Sequence, residues 1–424
     1  MKKRKLKKKF KVLIVLLLTV LSITIGIVLY ISNNKINEDA LEIKLIGDDN
    51  ITIKWNEEKY IDEGATAKYK DKDLTNSIET SDNLQLDKIG KYSYKYKIKY
   101  KNIEKTIERI VNVVEYTPPE IKLKGDEKII VAEGQYKEKG ATAIDNYDGD
   151  ITDKIEIDTS NFEDKVGTQK IIYKIKDSSG NENSVERTVI IKEKAKNTKN
   201  QKVAVLNYHF FYKDEEDRKK NCNQSICLDI KKFKEHLKYL NDNEFKILTI
   251  DEFVEWMYGE LEIPEKSVLI TIDDGWWGTS KEFGNYLIPA LEEYKAHATL
   301  FLVVGWWETK NYESKYLSLE SHTYDLHYEY GNKCKYRSKV NCVPYDELKK
   351  DLHKSAYVLK SHKAFCFPFY DYTEQSIKAV KEEGFKVAFI GGYRKASRSD
   401  DKYKIPRYPI QSSITMNEFK NMVN

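Results

Sequence analysis

Between residues 41 and 193 the chain repeats itself, and no other feature restricts its fold as much. The first copy contains "IKLIGDD", "EGATA", "DKIG" and "ERIVNV"; the second contains "IKLKGDE", "KGATA", "DKVG" and "ERTVII". Gly64 answers to Gly140 at an offset of 76 (140 − 64), and Glu108 to Glu186 at 78 (186 − 108). Four landmarks in one order mean a duplication, so each copy must close a core of its own from about 75 residues. "YSYKYKIKY" (92–100) and "KIIYKIK" (170–176) alternate apolar and polar residues with the period of a half-buried strand. "DNYDGD" and "DSSGN" are turn chemistry, and "TPP" at 117–119 marks the joint. Two small β-sandwiches are expected, at 41–115 and 119–193. The "DGD" at 148–150 lacks the spaced ligands and distal Glu of an EF-hand calcium loop and reads as a turn.

A chain of 424 residues also needs further domains. Its net charge of +4 is the small difference of 72 basic and 68 acidic residues, which gives nucleic-acid binding no support. The basic excess is local. Residues 2–11, "KKRKLKKKFK", carry eight Lys or Arg, and residues 12–31 then run without a charge. Twenty residues of helix span about 30 Å, the thickness of a bilayer's hydrocarbon core. A cleaved signal peptide has a shorter apolar region and ends in a small-x-small site. Here "LYISNNK" follows, so a retained single-pass anchor is expected. Residues 1–11 are then a cytoplasmic tail and everything after the span is outside.

No cysteine precedes Cys222. Cys222 with Cys227 and Cys334 with Cys342 have spacings that allow short disulfides in an oxidising exterior, and Cys366 in "AFCFPF" reads as a small buried residue. After the polar linker at 194–202, short apolar strands alternate with helical stretches. "VAVLNY", "FKILTI", "SVLITI" and "ATLFLVVGW" read as strands. Residues 229–242 read as a helix, "DEFVEWMYG" as a helix capped by Asp251, and "SKEFGNYLIPALEEYK" as a helix that Pro289 bends. Repeated β-then-α units over residues 203–424 argue an α/β barrel or parallel sheet, with its site at the carboxyl ends of the strands.

"TIDDG" (271–275) is such an end. Two adjacent carboxylates after an apolar run need a cation, or one must be protonated. Asp274 alone could serve as a helix cap, but that leaves Asp273 without a task. "SHTYDLH" (321–327) supplies two of the chain's seven histidines. A spacing of five puts His322 and His327 on different faces of either a helix or a strand, so the backbone between them must turn if they share one ligand. One carboxylate and two imidazoles form a three-ligand set with open positions. That suits Zn²⁺, and Co²⁺, Ni²⁺ or Fe²⁺ accept the same donors. The free carboxylate would take a proton from the attacking water.

With those motifs, residues 202–411 resemble the polysaccharide deacetylases with a NodB-like catalytic domain. "TIDDG" matches the family's T-F-D-D-G, which implies Asp273 as general base and Asp274 as metal ligand. "HATLFL" (297–302) matches the strand that follows, and "SHTYDLH" the histidine segment with one extra residue. That variant is similar to the branch of poly-β-1,6-N-acetylglucosamine deacetylases, whose catalytic acid sits in an early Tyr-His motif; "LNYHFF" places His209 there. "FCFPFYDY" (365–372) resembles the family's Phe-x-Tyr-Pro-Tyr-Gly-x-Tyr, without the arginine of the usual R-P-P-Y motif and with Tyr370 in place of Gly. It implies the Phe369 N–H as an oxyanion donor. "DKYKIPRYPI" (401–410) resembles the last barrel segment, with Arg407 orienting Asp273. The repeats resemble the immunoglobulin-like repeats of bacterial surface proteins, best through "GATAIDNYDGDIT" and "GNENSVERTVII".

His209 alone would read as a hydrogen-bonded core histidine, and His236, His297, His353 and His362 read as surface or packing residues. Trp276–Trp277 and Trp306–Trp307 are core by default, but two pairs at strand ends also suit a sugar cleft, with Trp277, Trp307 and Tyr370 as the binding residues. The expected protein is a transmembrane helix, two all-β immunoglobulin-like sandwiches and an α/β deacetylase barrel, a distorted (β/α)7–8. It is expected to act as a monomer on an acetylated cell-wall or surface polysaccharide. Peptidoglycan comes first and poly-β-1,6-N-acetylglucosamine second. A non-catalytic carbohydrate-binding protein that keeps the fold is the rival.

Overall fold

The computed structural model describes residues 2–33, 38–56, 59–196, 198, 200–329 and 334–424. Asn197 and Lys199 of the expected linker lie outside the described residues. The chain divides into two compact units: residues 1–120 with 144–151 and 176–183, and residues 121–143 with 152–175 and 184–424.

The first unit opens with one helix, Lys2–Asn33, of which Leu6–Tyr30 is long and apolar enough to cross a membrane. The first repeat follows as two sheets. Leu41–Leu45, Ala65–Tyr69 and Lys72–Asp73 form one; Asn50–Lys54, Ile103–Val114, Gly90–Tyr100 and Ile78–Asp82 form the other. The period of two in the sequence becomes alternate burial, with Ala65, Ala67 and Tyr69 inward and Thr66 and Lys68 outward. A buried arginine closes the sandwich. Arg109 donates to the carbonyls of Asp48, Ile46 and Gly64 and pairs with Asp62 at 2.6 Å.

The second repeat is built alike, from Glu120–Leu123, Ala141–Asp145 and Gly149–Asp150 against Glu156–Asp158, Gly167–Lys176, Glu182–Lys192 and Lys128–Ala132. Arg187 takes the place of Arg109. It donates to the carbonyls of Asp126, Lys124 and Gly140 and pairs with Glu138 at 2.7 Å. In the second unit, Asp126 of this repeat meets His297 of the α/β region at 2.9 Å, so His297 is a packing residue.

The α/β region is built on six parallel strands: β1 (Lys202–Tyr208), β2 (Ser267–Asp274), β3 (Ala298–Leu302), β4 (Leu317–Ser321), β5 (Ala364–Cys366) and β6 (Val387–Phe389). They lie in chain order as neighbours, with Lys246–Leu248 also paired to β2. Ala396–Ser397 runs antiparallel to β1. The expected barrel is present in a distorted form. A single segment joins the two ends of the strand order: Ile405 bridges Phe389, while Tyr408 and Pro409 pair with Leu206 and Asn207. Strands and inner helix faces enclose a continuous apolar core that includes Phe233, Leu237, Ile270, Leu291 and Leu300.

Two helix starts differ from expectation. Thr249, not Asp251, caps Ile250–Tyr258 through a reciprocal box with Glu252, because the strand ends at Leu248, two residues before the expected Ile250. The helix expected from residue 280 begins only at Leu287. Pro289 then falls in its first turn, where a missing N–H costs nothing, and no bend is needed.

Candidate active site

Strand β2 carries apolar residues into the core and delivers both aspartates at its carboxyl end. Asp274 and Gly275 leave the strand with φ of 78° and 79°. Only glycine fits the second position, since a Cβ would run into the Leu302 side chain. Thr323, Phe369 and Tyr370 also have positive φ, at 81°, 57° and 60°. Four non-glycine residues in this region of backbone space, at one end of one sheet, mark stored strain of the kind that packing must hold in place.

Thr323 supplies the turn that the histidine spacing demands. Its hydroxyl accepts the Leu326 N–H at 3.2 Å, and Asp351 accepts the N–H groups of Tyr324 and Asp325, both at 2.8 Å. The folded-back segment brings the Nε2 atoms of His322 and His327 to 3.3 and 2.9 Å from Asp274 Oδ1. His322 is further fixed by a 2.8 Å bond between its Nδ1 and the Cys366 carbonyl. A proton on Nδ1 serves that bond and leaves the Nε2 lone pair as the ligand atom on the side of Asp274. Burial alone would raise the Asp274 carboxyl, and the two imidazoles hold it well below the ordinary range instead. Asp274, His322 and His327 have ligand atoms within 4.8 Å of one another. Two nitrogens and one oxygen, with the cleft on the open side, fit a catalytic transition-metal ion such as Zn²⁺.

Asp273 faces the other way. Arg407 grips it with two parallel bonds of 2.7 Å, and both side chains are buried. Burial pushes this carboxyl up, but the Arg407 guanidinium outweighs it and holds the group at about 2. The Cys366 thiol touches the same pair, 2.8 Å from Arg407 Nη2.

A cleft of about 720 Å³ opens over these groups. His209 lines it with Asp273, Asp274, His322, His327, Phe369 and Tyr370. Burial lowers the His209 imidazole, opposed by Asp274 and Asp273, and its Nδ1 has no partner among the described residues. Around Phe369, the turn is closed by Tyr370 N–H to Phe367 O and Asp371 N–H to Pro368 O, both at 3.1 Å. The Phe369 N–H takes no part in it. The Tyr370 hydroxyl donates to Asn207, so its ring, not its hydroxyl, is offered to the cleft.

The tryptophans divide differently from expectation. Trp276, Trp306 and Trp307 line the cleft, whereas Trp277 turns away and donates its indole N–H to Asp217 at 2.9 Å. Trp276 is 40% exposed and stands edge-on to Phe210. Trp307 is half-buried against Phe283 and the main core.

Both disulfides form, Cys222–Cys227 and Cys334–Cys342, with Cα atoms 5.8 and 5.9 Å apart. Gln224, Ser225 and Ile226 of the first loop and Arg337 of the second line the cleft. Sequence reasoning passed over Asn207, Thr323, Asp351 and the Cys366 carbonyl, as well as Arg337, whose guanidinium lies 4.4 Å over the Phe369 ring. The one local signal was Asn207, a lone amide inside the apolar run of β1.

Comparison with known proteins bears on the domains that carry this site. Residues 261–388 match the polysaccharide deacetylase family, and residues 43–113 and 121–191 each match the Ig-like domain of bacterial surface proteins. The chain is 27% identical over 197 residues to the poly-β-1,6-N-acetyl-D-glucosamine N-deacetylase of Staphylococcus epidermidis, covering 42% of this chain and 66% of that protein. That is slightly under two thirds of the relative's length. It is 26% identical over 222 residues to the enzyme of the same name from Staphylococcus aureus, covering 48% of this chain and 72% of that protein. Among solved structures, the Streptococcus pyogenes deacetylase in complex with acetate aligns with a TM-score of 0.45 at 16% identity, over 53% of this chain and 99% of that one.

Proposed function

We infer the function of this protein from a chain that carries two bacterial surface Ig-like domains followed by a polysaccharide deacetylase domain. It is a metal-dependent hydrolase that removes acetyl groups from N-acetylglucosamine residues of a cell-wall or surface polysaccharide. The observation that carries this reading is the convergence of Asp274, His322 and His327 on one point beside the ionised Asp273.

The bound ion would supply a Lewis acid for the acetamide carbonyl and lower the pKa of a water. This chain's residues do the rest. Asp273 accepts a proton from the attacking water, in an orientation fixed by Arg407. The Phe369 N–H, which takes no part in closing its own turn, would donate to the oxygen on which charge develops. His209 as imidazolium gives a proton to the leaving amine. Burial makes that imidazolium a stronger acid than a free one, and the two aspartates offset the burial only in part. Acetate and a glucosamine amine result.

Sequence alone put peptidoglycan first. The names of the staphylococcal relatives favour poly-β-1,6-N-acetyl-D-glucosamine, which becomes the first substrate, with peptidoglycan second. The N-terminal helix anchors the chain by a single span with its basic end in the cytoplasm, and the catalytic domain works outside. Full-length protein in detergent should release acetate from one of the two polymers, and 1,10-phenanthroline should stop it. No chelator-sensitive acetate from either polymer would leave a binding protein on a deacetylase scaffold.

A further inference from the structure

We propose that the first unit holds a structural Ca²⁺ ion between Glu115, Asp145 and Asp177, apart from the catalytic domain and independent of its chemistry. The three carboxylates come from three separate stretches of the first unit. Glu115 follows the strand Ile103–Val114, Asp145 ends Ala141–Asp145, and Asp177 follows Gly167–Lys176. Their ligand oxygens lie within 4.8 Å of one another. Calcium–oxygen distances of about 2.4 Å put oxygens on opposite sides of one ion about 4.8 Å apart, so a single ion reaches all three.

All three are buried, at 6%, 4% and 7% exposure. Bringing three negative charges together out of water is costly without a cation. Among the described residues no lysine or arginine forms an ion pair with any of them, and the adjacent Lys176 is turned to Glu182 at 2.9 Å. What lies between the carboxylates is neutral. The Asn181 side-chain amide donates to Glu115 and to Asp177, each at 2.8 Å. Rotating that amide by half a turn would present its oxygen instead, a fourth ligand of the kind calcium takes.

A second observation points to a ligand. Asp145 spends one oxygen, Oδ1, on the N–H groups of Tyr147 and Asp148, both at 2.8 Å. Its Oδ2 is buried and has no hydrogen-bond partner among the described residues. A carboxylate oxygen in that state costs free energy unless something cationic meets it.

The duplication supplies an internal control. Ala65–Tyr69 and Gly90–Tyr100 are the counterparts of the two strands that lead into Asp145 and Asp177. In the first repeat these ends carry Tyr69 and Tyr100, whose rings pack 5.0 Å apart. Where one copy closes this corner with an aromatic pair, the other has two carboxylates. The "DGD" turn is not itself the site: Asp148 is taken up by the N–H and hydroxyl of Ser178, at 2.7 and 2.6 Å, which pins one acidic loop to the other.

An all-oxygen set selects a hard cation, and a buried set selects Ca²⁺ over Mg²⁺, which gives up its waters reluctantly and demands near-ideal octahedral geometry. The test uses full-length protein carrying Asp274→Ala, so that the catalytic site does not compete. Tb³⁺ is the probe, sensitised through Tyr147 and Trp55, whose rings meet at 5.1 Å. One Tb³⁺ should bind per chain and be displaced by Ca²⁺ and not by equal Mg²⁺, and Ca²⁺ should raise the unfolding midpoint of the Ig-like region. Asp145→Asn with Asp177→Asn should weaken binding by more than about tenfold. Asp145→Tyr with Asp177→Tyr copies the first repeat, so it should fold and show no response to Ca²⁺. Unchanged Tb³⁺ binding in both variants, or no Ca²⁺ effect on the parent chain at about 10 mM, well above the range of extracellular calcium modules, would overturn the proposal.

Discussion

Two clusters of three ligand-bearing side chains lie in different units of this chain, and they are built on opposite principles. Asp274, His322 and His327 mix two nitrogens with one oxygen, and a cleft opens on one side. Glu115, Asp145 and Asp177 are oxygen alone and lie buried at strand ends. Donor chemistry separates the ions each can hold, and the open side separates a centre that works from one that only holds. The backbone follows the same division. The first cluster needs left-handed residues at Asp274 and Thr323 to bring its ligands together, whereas Glu115, Asp145 and Asp177 adopt ordinary backbone at strand ends. On the proposed readings, strain is present where substrate would be met and absent where a fold need only be tied.

The comparison breaks most visibly under selective chelation. 1,10-Phenanthroline, a nitrogen chelator, should take acetate release to background while the unfolding of the Ig-like region stays unchanged. Protein stripped of metal with EDTA and given back Ca²⁺ alone should regain the midpoint of that region without acetate release, and given back Zn²⁺ alone should do the reverse. Any other pattern means that the two clusters do not sort ions by donor type. Within the catalytic cluster, Asp273→Asn separates the proton acceptor from the ligands. It should cost about 10²–10⁴ in kcat at unchanged metal content. Because Arg407 holds Asp273 at about 2, the wild-type carboxylate is ionised throughout the neutral range, and the acid limb of the rate profile should not belong to it.

How much of this was written in the sequence depends on whether the chemistry left a local trace. The duplication was legible because four short motifs recur in order, and "TIDDG" because two acids after an apolar strand demand a reason. The meeting of His322 with His327 could be stated only as a condition, since the turn is made by Thr323 and by Asp351 from a different helix. Trp276 and Trp277 exchanged places because neighbouring residues on a turn point opposite ways and composition cannot tell which way is inward. Glu115, Asp145 and Asp177 are spread over more than sixty positions (177 − 115 = 62), so no spacing announces them. The adjacent "DGD", which does look like a motif, is only the turn beside them.

A third acid sharpens the contrast, because among the described residues it forms no ion pair and is held by neutral partners. Glu320, on β4, is buried and accepts from the Ser361 hydroxyl at 2.8 Å and the Ala364 N–H at 3.2 Å. Burial pushes it up to about 7. It therefore binds its proton more tightly folded than unfolded. The stability it contributes is full below its ordinary value of about 4.5 and is lost as pH rises through about 7. Glu320→Gln should remove that loss. At pH 8 the variant should exceed wild type by up to roughly 3 kcal/mol, with the gap closing toward pH 4–5 in denaturant titrations. A gap that does not change with pH would mean that Glu320 is paired in a way its two neutral partners do not explain.

The smallest effect concerns the rim of the cleft. Each disulfide closes a short loop, with separations of five and eight residues, and each loop sends side chains to the cleft. Short loops stabilise little against unfolding, about 2 kcal/mol each by chain entropy. Their value would lie in holding Gln224–Ile226 and Arg337 where a polymer passes, so that less ordering remains to be done on binding. Replacing either pair by serine should therefore raise KM for a long polymer several-fold while kcat changes less, and a monosaccharide or disaccharide that never reaches the rim should be insensitive. If kcat fell as far as KM rose, with the metal retained, the staples would be acting on Trp276, Phe369 and the reacting atoms rather than on the rim. The line between a centre that works and a frame that only holds would then run inside the cleft itself.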